Sequence, residues 1–93
     1  MASEQRLRLR VSGRVQAVGF RWWAAHEARA LELAGTVRNA ADGTVEIEAS
    51  GDGASLAQFV EQIRRGPPAA HVAEVAELEA GDAPLPRPFR IVH

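Results

Sequence analysis

Nine residues, Gly13-Arg14-Val15-Gln16-Ala17-Val18-Gly19-Phe20-Arg21, carry the first chemistry this chain offers. An alternating stretch runs into them and a helical pattern leaves them, so a short loop bracketed by glycines joins a strand to a helix. Such a loop turns several backbone N–H groups into one small space, and the helix dipole adds its positive end. The product is a site for an anion. Arg21 falls in the first helical turn, where its five-donor guanidinium can fork onto the same anion. A cation at that end of a helix opposes the dipole unless an anion sits with it. A second group lies downstream, Gly35-Thr36-Val37-Arg38-Asn39 followed by Asp42-Gly43-Thr44.

These residues need elements to hold them. Arg6 to Val11 alternates with period two, which places Leu7, Leu9 and Val11 toward a core and Arg6, Arg8 and Arg10 outward. Phe20, Ala24, Ala28 and Leu31 recur at helical spacing up to Gly35. Thr36 to Asn39 reads as a short strand, and Ala41-Asp42-Gly43 as a hairpin turn, since Asp-Gly accepts the positive φ of tight hairpins. Val45, Ile47 and Ala49 alternate inward along the next strand. Asp52 is placed to cap the helix that Leu56, Phe59, Val60 and Ile63 describe, and Gly66-Pro67-Pro68 stops it. His71 to Glu79 has strand character, but Val75 breaks the parity of Val72 and Leu78, so a bulge or an early end is expected. Gly81 to Pro86 reads as a loop and Phe89 to Val92 as a last short strand.

The order is βαββαβ with a small extra strand. That is the split βαβ, ferredoxin-like α+β arrangement, an antiparallel sheet with two helices on one face. Its first and third strands are neighbours, so the arginine row faces Glu46 and Glu48. Opposite charges across strands contribute about 0.2–1 kcal/mol per pair, and this gives the row a structural role. A single domain over residues 1–93 is expected.

Composition removes other classes. The 93 residues carry a net charge of −1, with 46% hydrophobic and 25% charged residues, which fits a small globular domain rather than a general nucleic-acid binder. There is no cysteine, so disulfides, thiolate metal sites and a cysteine nucleophile are excluded. His26, His71 and His93 show no metal-ligand spacing; they read as helix surface, strand start and chain end. No run approaches the roughly 20 apolar residues of a membrane span, and the N-terminus lacks a signal-peptide pattern. A cytoplasmic monomer without membrane, nucleic-acid, metal or cofactor partners is expected. All eleven basic residues are arginine, so residue type alone says little, and position must decide.

The two glycine-containing segments, Gly13 to Arg21 and Gly35-x-Val37-Arg38-Asn39-x-x-Asp42-Gly43-Thr44-Val45-Glu46, resemble the two signatures of the acylphosphatases. Gly66-Pro67-Pro68, Val72 and Phe89-Arg90-Ile91 fit as well, so the resemblance runs from Leu7 to Ile91. It implies hydrolysis of acyl phosphates to a carboxylate and inorganic phosphate, with Arg21 and Asn39 as the working pair and no metal. Phosphoryl transfer depends on positioning and charge stabilisation. In that reading the amides of Val15, Gln16, Ala17 and Val18 cradle the phosphoryl oxygens and Arg21 clamps them. Asn39 accepts a hydrogen bond from the attacking water without adding negative charge. Thr44 is expected to hold the Asn39 amide, and Gln16 to act through its backbone. One of Trp22 and Trp23 is expected to pack on the sheet while the other lines the rim of the site.

The chain departs from the family's pattern at Ala17, where glycine is usual, at Thr36, where an aromatic is common, and at His93 in place of tyrosine. Ala17 is expected to keep an ordinary negative φ. Other readings of the same order are weaker. An RNA-recognition domain needs aromatic residues on its central strands, and Val45-Glu46-Ile47-Glu48 has none. A carbamoyl-phosphate or other anion-binding regulatory domain without turnover would use the same loop, but would not require Asn39.

Overall fold

The computed structural model describes residues 4–93. The chain forms β1 (Glu4–Arg14), α1 (Phe20–Ala30), β2 (Ala34–Asn39), β3 (Val45–Asp52), α2 (Gly53–Arg65), β4 (His71–Leu78) and β5 (Arg90–Ile91). The strands make one sheet in the order β4-β1-β3-β2-β5. The first four pair antiparallel, as the ferredoxin-like order demands, whereas β5 runs parallel to β2 and makes the sheet mixed.

One face of the sheet is apolar because the strand alternation is strict. Leu9, Val11, Val37, Val45, Ile47 and Ala49 point to it and are buried. Both helices cover this face. α2 brings Leu56, Phe59 and Ile63 at helical spacing, while α1 brings Phe20 and the small Ala24, Ala25 and Ala28. Asp52 caps α2 as its position suggests, its Oδ2 accepting from the amides of Ala54 and Ser55 at 3.1 and 3.3 Å.

The opposite face is charged and paired. Arg8 and Arg10 lie directly across from Glu48 and Glu46 in the β1–β3 register. Arg10 reaches Glu46 at 3.1 Å and Arg8 reaches it at 3.5 Å. Arg6 reaches Glu48 at 3.5 Å, and Arg38 from β2 also binds Glu46. Burial pushes the Glu46 carboxyl up. The Arg10 hydrogen bond and the charges of Arg38 and Arg8 outweigh that and hold it below its usual value.

The irregular parity of β4 is a bulge. Ser12 pairs with Glu74 and Gly13 with Val72, so Ala73 is skipped. The extra residue lets Val72 and Val75 both pack against the core, and leaves Leu78 beside Arg8 on the other face. Gly13 sits opposite the bulge with φ 123°, and a Cβ there would collide with the carbonyl oxygen of His71. Only glycine fits where β1 hands the chain to the loop.

Candidate active site

The loop from Val15 to Gly19 is pinned at its ends by burial. Val15 and Phe20 are fully enclosed, and Val18 packs against the core from its half-buried position. It is also pinned sideways. Gln16 Nε2 donates to the carbonyls of Ala40 and Thr44, each at 2.9 Å, and ties the loop to the β2–β3 turn. A span this short between fixed points closes only by reversing its backbone twice. Ala17 adopts φ 58° and Gly19 φ 76°, both left-handed. The expectation of ordinary φ at Ala17 is therefore corrected. The anchors at Val15, Gln16 and Val18 outweigh the roughly 1–2 kcal/mol that a β-carbon costs in this region.

Left-handed residues alternating with ordinary ones are the geometry in which successive amides converge on an anion. Gly19 ends the loop as the residue preceding α1, with no side chain capping the helix. A β-carbon at Gly19 would meet nothing within 4 Å, so the space before the helix is open. The first-turn amides of α1 and the positive end of its dipole face that space.

A cavity of about 380 Å³ lies there. Val15, Ala17 and Arg21 line it from the loop and helix, Asn39 from the end of β2, and Ile91 and His93 from the β5 side. Asn39 shares the inward parity of Val37, while Arg38 between them joins the ion pairs on the other face. The Asn39 Oδ1 is buried and has no hydrogen-bond partner among the described residues. A buried acceptor without a donor costs about 1–3 kcal/mol; Gln62 Oε1 and Arg6 Nε are also unpartnered, and of the three only Asn39 lines this cavity. The lining includes one arginine and no aspartate or glutamate. Among the described residues Arg21 has no acidic partner; its Nη1 lies 3.3 Å from His93 Nδ1.

Arg21, Asn39, Val15 and Ala17 thus meet at one cavity. The side chains of Gln16 and Val18 do not line it, since the first braces the turn and the second packs inward. The Gln16 side-chain amide cross-links the loop to the β2–β3 turn. Thr44 does not hold Asn39. Its hydroxyl donates to Asp42 Oδ1 at 2.7 Å and its amide does so at 3.0 Å, and these bonds hold the Asp42 carboxyl below its usual value. Trp23 packs on Phe20 with ring centres 5.4 Å apart, and Trp22 is the tryptophan at the rim.

His93 is a site residue that the sequence reading places only at the chain end. The pairing of Val37 with Ile91, and the 2.9 Å bond from the Val92 amide to the Val37 carbonyl, carry it to the cavity. Phe89, Ile91 and His93 alternate in sequence, and Phe89 is buried. That parity is the one signal that points to it.

These features place a cavity lined by Arg21 and Asn39 at one end of a split βαβ sandwich. The acylphosphatase family model matches residues 7–91 of this chain. The sequence is 46% identical over 89 residues to an acylphosphatase of Rhizobium etli, covering 91% of this chain and 90% of that one. It is 42% identical over 92 residues to an acylphosphatase of Rhizobium meliloti, covering 98% and 97%. The crystal structure of acylphosphatase from Bacillus subtilis matches with a TM-score of 0.88 at 38% identity, over 98% of this chain and all of that one. HypF from T. kodakarensis matches with a TM-score of 0.82 at 29% identity, this whole chain against 12% of that one. The chain belongs to the acylphosphatase family.

Proposed function

We propose that this protein hydrolyses acyl phosphates in the cavity between the β1–α1 loop and the end of β2, without a metal ion. Water attacks phosphorus; the bond from phosphorus to the acyl oxygen breaks, and its electron pair leaves with the carboxylate. Arg21 and the amides of Val15, Gln16, Ala17 and Val18 hold the phosphoryl oxygens and stabilise the charge that spreads over them. A carboxylate leaves readily, so the step needs no strong general acid.

The observation that carries this reading is the buried, unpartnered Oδ1 of Asn39 in a cavity that contains an uncompensated arginine. An acceptor in an anion site disfavours the anion itself and suits a water beside it. A domain that only bound an anion would do better without it. Arg21 supplies the positive charge a metal would bring. Among the described residues no group of three or more histidine or acidic side chains could hold one.

Benzoyl phosphate loses its ultraviolet absorbance on hydrolysis. The protein should turn it over at an undiminished rate in EDTA, and added magnesium or zinc should not raise that rate. No turnover, or activity lost on chelation and restored by metal, overturns the proposal.

A further inference from the structure

Trp22 is the one large hydrophobic side chain left exposed among the described residues, with 71% of its surface open. It lines the cavity of Arg21 and Asn39. One helical turn on, the His26 ring lies parallel to the indole, 2° from coplanar with centres 6.1 Å apart. Trp23 packs back onto Phe20, whereas Trp22 stays exposed beside the site. The rest of the lining away from Arg21 and Asn39 includes Ala17 and Ile91, which are apolar. The cavity, at about 380 Å³, is in the small-ligand range and leaves room next to a bound phosphate.

We infer that Trp22 is the platform for the acyl half of the substrate and selects flat, aromatic acyl groups over short aliphatic ones. This rests on the acyl phosphate reading above. With the phosphoryl group fixed by Arg21 and the loop, the acyl carbon must project out of the cradle toward the rim. A planar aryl group lying on the indole face covers apolar surface that is otherwise wet, and gains the offset stacking that aromatic pairs favour. An acetyl group is too small to cover the ring. Specificity of this kind is modest, because a single stacked face contributes about one factor of ten.

The test compares kcat/KM for benzoyl phosphate and acetyl phosphate in the wild type, Trp22→Ala and Trp22→Phe. The ratio of benzoyl to acetyl should fall about tenfold in Trp22→Ala, through KM for benzoyl phosphate, and should recover most of the way in Trp22→Phe. The inhibition constant for inorganic phosphate reads the cradle separately and should stay within about twofold. An unchanged ratio, or an equal fall for both substrates with weaker phosphate inhibition, overturns the assignment while leaving the hydrolysis intact. A wild type that turns over neither compound overturns this inference together with the activity it rests on.

Discussion

On the open face of the sheet, Arg6, Arg8, Arg10 and Arg38 are each tied to Glu46 or Glu48. In the cavity at the end of the sheet, Arg21 meets a histidine ring and makes no ion pair among the described residues. The side chains are the same and the roles are opposite. The charged face has its counter-ions built in, and its pairs serve strand register. The cavity gives Arg21 no aspartate or glutamate among the described residues, beside a helix N-terminus that a cation alone would find unfavourable. In a chain whose cations are all arginine, the reading of Arg21 as a binding residue rests on its place in the cavity, since Arg14, Arg64, Arg65 and Arg90 also have no acidic partner among the described residues.

The largest expected effect breaks this comparison at its centre. Arg21→Lys keeps the charge and loses the planar fork, so more than about nine-tenths of kcat/KM should disappear while circular dichroism stays native. Arg10→Lys, on the paired face, should leave kcat/KM within about twofold, since it keeps the charge beside Glu46 and lies outside the cavity. An Arg21→Lys enzyme retaining more than about a tenth of wild-type kcat/KM, a loss under about 1.4 kcal/mol, would erase the distinction.

Asn39→Ala sharpens it from the other wall of the cavity. Removing one positioned polar group at a reacting centre costs about 10²–10³ in kcat, and steady-state rates on benzoyl phosphate read it directly. A variant within about tenfold of wild type would mean that the orphaned Oδ1 does not hold the attacking water.

The smallest effect concerns the loop that joins the two regions. Ala17 carries a left-handed φ of 58°. Ala17→Gly removes the steric cost of that conformation and adds unfolded-state entropy, for a net gain of up to about 1 kcal/mol. Denaturant midpoints of the two proteins measure it. A less stable glycine variant would show that the loop relaxes away from the left-handed region.

Much of this was legible in the sequence because it follows from local patterns. Period-two alternation placed Leu9, Val11, Val45 and Ile47 inward, Asp52 announced a helix start, and the parity break at Val75 left a bulge or an early end, of which the fold has the bulge. Arg21 and the glycine-bounded loop stood out because strand, loop and helix start are consecutive. What stayed hidden depends on tertiary closure. Gln16 reaches the carbonyls of Ala40 and Thr44, 24 and 28 residues away, and no local pattern forecasts which loop side chain will brace a distant turn. His93 arrives 72 residues from Arg21 through a parallel pairing of two residues, too short to leave a strong periodic signal. Ala17 misled because intrinsic preference argues for ordinary φ, and the neighbours that override it act only in the folded loop.

The central claim is a division of labour, with Arg21 and the loop holding phosphate while Asn39 holds water. Competitive inhibition by inorganic phosphate, measured on wild type and Asn39→Ala, tests it most directly. The account predicts inhibition constants within about twofold of each other although kcat falls by about a hundredfold or more. A roughly tenfold weaker inhibition in Asn39→Ala with kcat unchanged would place Asn39 on the phosphate and contradict it.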